Sequence, residues 1–202
     1  MGKSDDSRKD LTRAKAHQGP AHTTLILVGR FGSGKSTVGI ALAKRTGLPY
    51  LEIGDIVRRE AATHGHSALE HARRKFTQGQ HLAFVSMAAD DAKKVGLPCI
   101  VGGPRRPDEL DYLQEALHPT VAIALSLSGE ERERRLAERD RGGEPEVERG
   151  YRDVLEENWG ISQTLAACDF SVASTGQPDL VVEQCLELWM AADRQVNNSR
   201  EN

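Results

Sequence analysis

The stretch Gly29-Arg30-Phe31-Gly32-Ser33-Gly34-Lys35-Ser36-Thr37 decides the fold of this chain. It satisfies the pattern G-x-x-x-x-G-K-[ST] of the phosphate-binding P-loop, which carries meaning only between a strand and a helix. The apolar residues 24–28 before it predict a buried strand, and residues 38–44 after it predict a helix. Both flanks of the motif therefore agree with a P-loop.

The residue types of this loop suit the binding of ATP. Its glycines let the backbone approach a ligand closely, so that loop N–H groups and the N-terminus of the next helix can face phosphate oxygens. Lys35 is expected to reach the β- and γ-phosphates, and the Ser36 hydroxyl to bind Mg²⁺. The residues expected to bind ATP are Gly29, Gly32, Ser33, Gly34, Lys35, Ser36 and Thr37. A chance glycine-rich turn, or a loop that binds nucleotide without catalysis, stays open as an alternative.

Composition favours a soluble cytoplasmic protein. The chain has 202 residues, of which 38% are hydrophobic and 28% charged, and its net charge is −3. This balance disfavours nucleic acid and anionic membranes as partners. The three cysteines, Cys99, Cys168 and Cys185, are far apart and lack C-x-x-C spacing, which indicates reduced thiols. No apolar run approaches the length of a membrane span, and we expect a monomer or homodimer.

Strands alternate with helices along the chain. Runs typical of buried strands lie at 24–28, 48–53, 97–101, 119–127 and 169–172. This alternation predicts an α/β fold, a three-layer αβα sandwich of the P-loop NTPase type with a central five-stranded parallel sheet. The polar residues 1–22 are expected to form a disordered leader, residues 23–193 a single domain, and residues 194–202 a frayed tail.

Two further predicted strands end in charged residues. Asp55 follows the second strand, and Arg105 and Arg106 follow the third. Open α/β sheets bind their ligands at the carboxyl ends of their strands, and arginine suits bidentate binding of phosphate. Asp55 could equally cap the helix that begins there, and the arginines could belong to a loop surface.

An arginine-rich segment follows the fourth predicted strand. Arg132, Arg135 and Arg139 fall at i, i+3 and i+7 and so share one helical face. The helix then breaks at a Gly-Gly pair, and a second helix carries Arg152. Two arginine-bearing arms around a glycine-rich tip predict a short lid. The glutamates between these arginines leave an ion-paired surface helix as the alternative.

The P-loop, Gly54-Asp55-x-x-Arg58 and Gly103-Pro104-Arg105 resemble, in this order, the nucleoside monophosphate kinases, adenylate kinase above all. The chain is also similar to a small adenylate-kinase-like or dephospho-CoA-kinase-like family of P-loop proteins. The likeness covers about residues 24–190. It implies a P-loop kinase domain with a helical acceptor-binding segment at about 54–96 and a short helical lid at about 132–153.

The resemblance also implies roles for individual residues. Arg58 and Arg105 would hold the phosphate of the acceptor, and Asp55 would orient or deprotonate the attacking oxygen. The implied catalytic residues are Lys35, Asp55, Arg135 and Arg139. The implied substrate-binding residues are Asp55, Arg58, Arg105 and Arg152. For Mg²⁺ the implied ligand is Ser36, with Asp55 as a second candidate.

This chain departs from the family at the end of the third strand. The family has an aspartate there, which holds Mg²⁺ through water, and we align Val101 with it, with one extra residue before the next helix. Binding of Mg²⁺ would then depend on Ser36, the phosphates and Asp55.

We therefore expect an ATP- and Mg²⁺-dependent kinase whose acceptor is a nucleoside monophosphate or a related small-molecule nucleotide. A kinase for a hydroxyl group, as in dephospho-CoA or a modified nucleoside or nucleobase, is the alternative, and Asp55 as a true base would favour it. A catalytically decayed nucleotide-binding regulatory protein is an alternative of another class, motivated by Val101.

Overall fold

The structure is a computed structural model that describes residues 22–138 and 146–199, apart from the side chains of 146–149. Within these ranges five parallel strands form one sheet in the order β2-β3-β1-β4-β5. The strands are β1 Thr24–Val28, β2 Tyr50–Glu52, β3 Ile100–Gly102, β4 Thr120–Ser126 and β5 Phe170–Ala173. The predicted α/β fold with a central five-stranded parallel sheet is confirmed.

Helices cover both faces of the sheet. Those in the described ranges are α1 Lys35–Thr46, α2 Ile53–Thr63, α3 Ala68–Thr77, α4 Ala83–Val95, α5 Pro107–Ala116, α6 Gly129–Glu138, α7 Glu146–Trp159, α8 Ile161–Ala166 and α9 Pro178–Asn198. Successive residues of β1 point to opposite faces. Ile26 and Val28 pack with residues of α2, α4 and α5, whereas Leu25 and Leu27 pack with residues of α1 and α9. None of the described helices is long and apolar enough to cross a membrane.

The loop between β1 and α1 needs its glycines. Gly32 and Gly34 have φ angles of 84° and 93°, in the left-handed region that residues with a Cβ avoid. A Cβ on Gly29 would lie 2.5 Å from the Ser33 hydroxyl oxygen. The loop therefore folds tightly on itself, and its open side faces the carboxyl end of the sheet.

Helix α9 is longer than the sequence suggested. It continues to Asn198, so most of the tail predicted to be frayed is helical. This helix is anchored just before its last turn, where Asp193 Oδ1 accepts hydrogen bonds from the backbone N–H groups of His22 and Thr23 at 2.7 Å. Trp189 Nε1 also donates to the carbonyl of Thr23 at 3.1 Å. The rest of the predicted leader and the tip of the predicted lid lie outside the described residues.

Candidate active site

Lys35 lies inside the P-loop. Its ammonium group donates hydrogen bonds to the carbonyl oxygens of Gly29 at 2.5 Å and Arg30 at 3.1 Å. Burial lowers the pKa of Lys35, the nearby Glu52 and Glu156 carboxylates oppose this effect, and Arg105 adds to it. Two carboxylates and a second cation therefore lie close to the P-loop lysine.

Glu52 lies at the end of β2, and its carboxylate contacts the first turn of α1. Ser36 Oγ donates a 3.0 Å hydrogen bond to Glu52 Oε2, and the Tyr50 hydroxyl donates to the same oxygen. Burial and the Glu52 charge raise the pKa of Tyr50, so its hydroxyl stays protonated and remains a donor. Glu52 was not among the expected site residues, although it ends β2, the strand whose carboxyl end the sequence had already indicated.

β3 ends at Gly102, so Val101, which we expected at the end of the third strand, lies one residue before that end. Val101 is fully buried in an apolar cluster. A Cβ on Gly102 would instead lie 2.6 Å from the Tyr50 hydroxyl and 3.1 Å from Glu52 Oε2. The space that a strand-end side chain would take on β3 is thus filled by Tyr50 and Glu52 from β2.

Asp55 and Arg58 form an ion pair on the first turns of α2. Arg58 lines the cavity in front of the P-loop, whereas the Asp55 side chain is 72% exposed. Pairs of this exposure contribute little to stability. Asp55 therefore contacts Arg58, and the carboxylate that contacts the Ser36 hydroxyl belongs to Glu52.

Arg105 is fixed from three sides. Its backbone N–H donates to Glu109 Oε2 at 2.7 Å, and its carbonyl accepts from the Thr164 hydroxyl at 3.0 Å. Its Nε atom lies 3.0 Å from Glu156 Oε1. The Nε–H bond does not point at this oxygen, so the contact is an ion pair without a hydrogen bond. Burial raises the pKa of Glu109, and its bond from Arg105 opposes the rise.

Helix α6 brings a lid arginine to the P-loop. Arg135 Nη1 lies 3.4 Å from the Ser174 hydroxyl, which donates a 2.7 Å hydrogen bond to the carbonyl of Ser33. Arg135 Nε donates to Glu131 at 2.9 Å. The structure thus places Arg135 beside the loop. Arg139, the other lid arginine in our expectation, lies outside the described residues.

Helix α7 covers the tip of the P-loop. The guanidinium carbon of Arg152 lies 4.1 Å from the centroid of the Phe31 ring, and the Phe31 N–H donates to Glu156 Oε2 at 3.1 Å. An ion pair between Arg132 and Asp153 joins α7 to α6. Both arms of the predicted lid therefore pack against the loop.

A cavity of about 130 Å³ opens in front of the loop. The charged and hydroxyl side chains that line it come from four separate elements and a loop: Lys35, Ser36, Glu52, Arg58, Arg105 and Arg152. Its lining therefore combines four cations with one carboxylate and one hydroxyl.

A smaller, more apolar pocket adjoins this cavity and shares Arg105 and Trp159 with it. We call it the aromatic pocket, after Phe76, Phe84 and Trp159 in its lining. The ring centroids of Phe76 and Trp159 lie 5.9 Å apart, within the range of favourable aromatic contacts. The sequence does not predict this pocket, because its rings come from distant segments and no local pattern marks them.

The fold and the loop define a P-loop kinase-like protein, and comparison with known proteins agrees. Residues 28–152 match the family AAA_17, described as an AAA domain. A UPF0200 protein of Hyperthermus butylicus is 32% identical over 167 residues, which cover 76% of this chain and 87% of that protein. A UPF0200 protein of Methanopyrus kandleri is 27% identical over 158 residues, with coverage of 74% and 80%. This chain therefore belongs to the AAA_17 family and to the UPF0200 family.

Solved structures share the fold at low sequence identity. Shikimate kinase from Aquifex aeolicus has a TM-score of 0.58 at 17% identity and covers 85% of this chain and 98% of its own. A gluconokinase from Sinorhizobium meliloti has a TM-score of 0.61, also at 17% identity, with coverage of 90% and 99%. This likeness confirms the expected P-loop kinase-like fold and leaves the substrate open.

Proposed function

We propose that this protein is an ATP- and Mg²⁺-dependent kinase whose acceptor is a nucleoside monophosphate or a related nucleotide. The observation that carries the proposal is the arrangement of arginines around one P-loop. Arg58 and Arg105 line the cavity on one side of Lys35, and Arg135 lies on the other side next to Ser174. Two separate cationic sites suit two phosphate-bearing substrates.

The donor would occupy the loop and the pocket beside it. This donor pocket is lined by Gly34, Thr37, Arg135, Ser174 and Pro178, among others, from the loop, α1, α6, the turn after β5 and the start of α9. Phosphates held by the loop would extend from it toward Lys35. The donor's nucleoside would lie along α6, where the Arg135 guanidinium can contact it and the phosphates together.

Ser36 and Glu52 would hold Mg²⁺. A hydroxyl and a carboxylate oxygen 3.0 Å apart are the hard oxygen donors that this ion prefers, and ATP and water would supply its remaining ligands. Mg²⁺, when bound, would neutralise charge on the phosphates during transfer. We propose Glu52 ahead of Asp55 for this role, because it is the carboxylate in contact with the loop serine.

The acceptor would bind with its phosphate at Arg58 and Arg105. Asp55 would orient Arg58 through their ion pair. The aromatic pocket directly behind Arg105 would take a planar ring, which favours a nucleotide over an aliphatic acceptor. The rings of this pocket would thus supply an aromatic contact to the acceptor's base.

Transfer itself would depend on positioning and charge. Lys35 and Arg135 would stabilise the charge on the transferring phosphoryl group, with Arg139 and Arg152 as further lid arginines. The packing of α6 and α7 over the loop would exclude water and so limit hydrolysis of ATP.

A coupled assay of ADP release tests this proposal. The acceptor panel contains AMP, CMP, UMP, GMP, their deoxy forms, dTMP and dephospho-CoA. We expect turnover on at least one monophosphate, and a loss of at least about 100-fold in the Lys35→Ala variant, because a cation at the transferring phosphate is removed. Turnover on dephospho-CoA alone would replace the proposal with a hydroxyl kinase. ATP binding without turnover on any acceptor would indicate a decayed enzyme.

A further inference from the structure

We propose that Glu156 is a positioning residue that holds Arg105 against the P-loop and thereby sets the affinity of the enzyme for the phosphate of its acceptor. This inference rests on the proposed function, since it needs an acceptor that Arg105 binds. Neither the sequence pattern nor the family resemblance singled out Glu156.

The contacts of Glu156 join the two substrate sites. Its side chain is 0% exposed and comes from α7. One carboxylate oxygen accepts the Phe31 N–H of the P-loop at 3.1 Å, and the other lies 3.0 Å from Arg105 Nε. A single buried group therefore connects the loop for the donor phosphates with the arginine for the acceptor phosphate.

Glu156 contacts the Nε edge of the Arg105 guanidinium, which leaves the edge that carries the Nη atoms available. The ion pair involves Nε, and among the described residues no hydrogen bond holds the terminal nitrogens. The Arg105 side chain is 28% exposed and lines both the main cavity and the aromatic pocket. A guanidinium pinned through Nε can still bind phosphate with its Nη atoms, with less rotamer freedom to lose.

The charge of Glu156 is needed as well as its shape. Lys35 and Arg105 are two cations near one cavity, and their repulsion contributes to the lowered pKa of Lys35, whereas Glu156 acts in the opposite direction. The carboxylate between the loop and Arg105 therefore offsets this repulsion and keeps Arg105 in place without a bound phosphate between the two cations. A neutral side chain of the same shape would lose this effect.

A charge-neutral replacement tests the inference. Glu156→Gln keeps the length of the side chain and an oxygen for the Phe31 N–H, but it removes the charge that holds Arg105. AMP, CMP, UMP and GMP are each tested as acceptor. For the acceptor that the wild type phosphorylates, we expect the KM of the variant to be about tenfold higher, the effect of losing one charged contact. The KM for ATP should change less than about twofold, because the contact with the loop is kept.

The neighbouring residue provides a matched control. Glu157 lies on the same helix and pairs with Arg30 of the P-loop, away from Arg105. Glu157→Gln should leave the acceptor KM within about twofold of the wild type, since a partly exposed ion pair is worth little. Arg105→Lys and the double variant with Glu156→Gln complete a double-mutant cycle. If Glu156 acts through Arg105, the double variant has nearly the same acceptor KM as Arg105→Lys alone.

The outcomes separate this inference from the proposed function. Wild-type protein without turnover on any monophosphate would overturn both. Turnover in which Arg105→Lys raises the acceptor KM and Glu156→Gln does not would overturn the inference alone. Equal losses of kcat in Glu156→Gln and Glu157→Gln, with both KM values unchanged, would also overturn it, because they would show a general role in docking α7.

Discussion

Ser36 Oγ donates a 3.0 Å hydrogen bond to Glu52 Oε2, and this bond joins the first turn of α1 to the end of β2 across the intervening strand β3. The crossing is possible because Gly102, at the end of β3, has no side chain to occupy the space. Glu52 of β2 thus occupies the position that a carboxylate at the end of β3 would have.

Replacement of Glu52 by Gln should weaken the use of Mg²⁺. The amide keeps an acceptor for the Ser36 hydroxyl but removes the negative charge that attracts a hard cation. We expect the Mg²⁺ concentration at half-maximal activity to rise at least about tenfold, as for the loss of a carboxylate next to a metal. Titration of ADP release with MgCl₂ at saturating ATP measures this concentration.

Asp55→Asn is the matched comparison, because the sequence made Asp55 the second candidate for the metal. Because the ion pair of Asp55 with Arg58 is exposed, we expect the Mg²⁺ concentration at half-maximal activity to change less than about twofold. A large shift in Asp55→Asn together with none in Glu52→Gln would show that Glu52 is not the metal's carboxylate. Calorimetry of ATP binding with and without Mg²⁺ gives a second readout that needs no turnover.

Arg105 and Glu156 should be coupled in stability. Arg105→Gln leaves a fully buried carboxylate without its cation, which costs about 3 kcal/mol. Glu156→Gln removes the charge itself, so we expect a smaller loss, and the double variant should be more stable than Arg105→Gln alone. Urea unfolding followed by circular dichroism measures all three. Equal midpoints for the wild type and Arg105→Gln would mean that the pair makes no contribution to folding.

The aromatic pocket should recognise the base of the acceptor. Phe76→Leu keeps an apolar side chain but removes the ring near Trp159, so the KM for a monophosphate should rise about 3- to 10-fold. Binding of ribose 5-phosphate, which has the phosphate and no base, serves as the control and should not change. If both ligands weaken equally in calorimetry, the pocket supports the fold of this region and does not contact a base.

The sheet could be predicted because its signals are local. Each strand is a short apolar run followed by a glycine, a charge or a helix cap, and the P-loop is one contiguous motif. The bounds were less reliable at β3, where Gly102 was assigned to a loop, since glycine is as typical of turns as of strand ends. The strand therefore ends at Gly102, one residue beyond the Val101 that the sequence indicated.

The site was only partly predictable because its other contacts join distant segments. Lys35, Ser36, Arg58, Arg105 and Arg152 all line the cavity, as their positions at strand ends or in the lid suggested. In contrast, the role of a carboxylate on α7 depends on how that helix packs on the loop, and the periodicity of α7 holds no information about this packing. A buried ion pair between a strand-end arginine and a lid helix therefore becomes visible only in three dimensions.

His71 should make the protein less stable in mild acid. It is buried, with its Nε2 atom lacking a hydrogen bond among the described residues and its ring against Phe84. Burial lowers the pKa of His71, and the neighbouring His64 and His66 lower it further. Lys75 acts in the same direction and Glu60 opposes it.

The sign of the effect follows from linkage. Because the folded state binds this proton less tightly than the unfolded state, the unfolded state holds more protons as the pH falls below the ordinary histidine pKa. The free energy of unfolding should therefore fall between pH 7.5 and pH 5.5, and it should fall less in His71→Gln than in the wild type. His118→Gln, at an exposed position, is the control and should keep the wild-type slope. Urea unfolding at the two pH values measures the slopes, and identical slopes for the wild type and His71→Gln would assign the acid sensitivity to other groups.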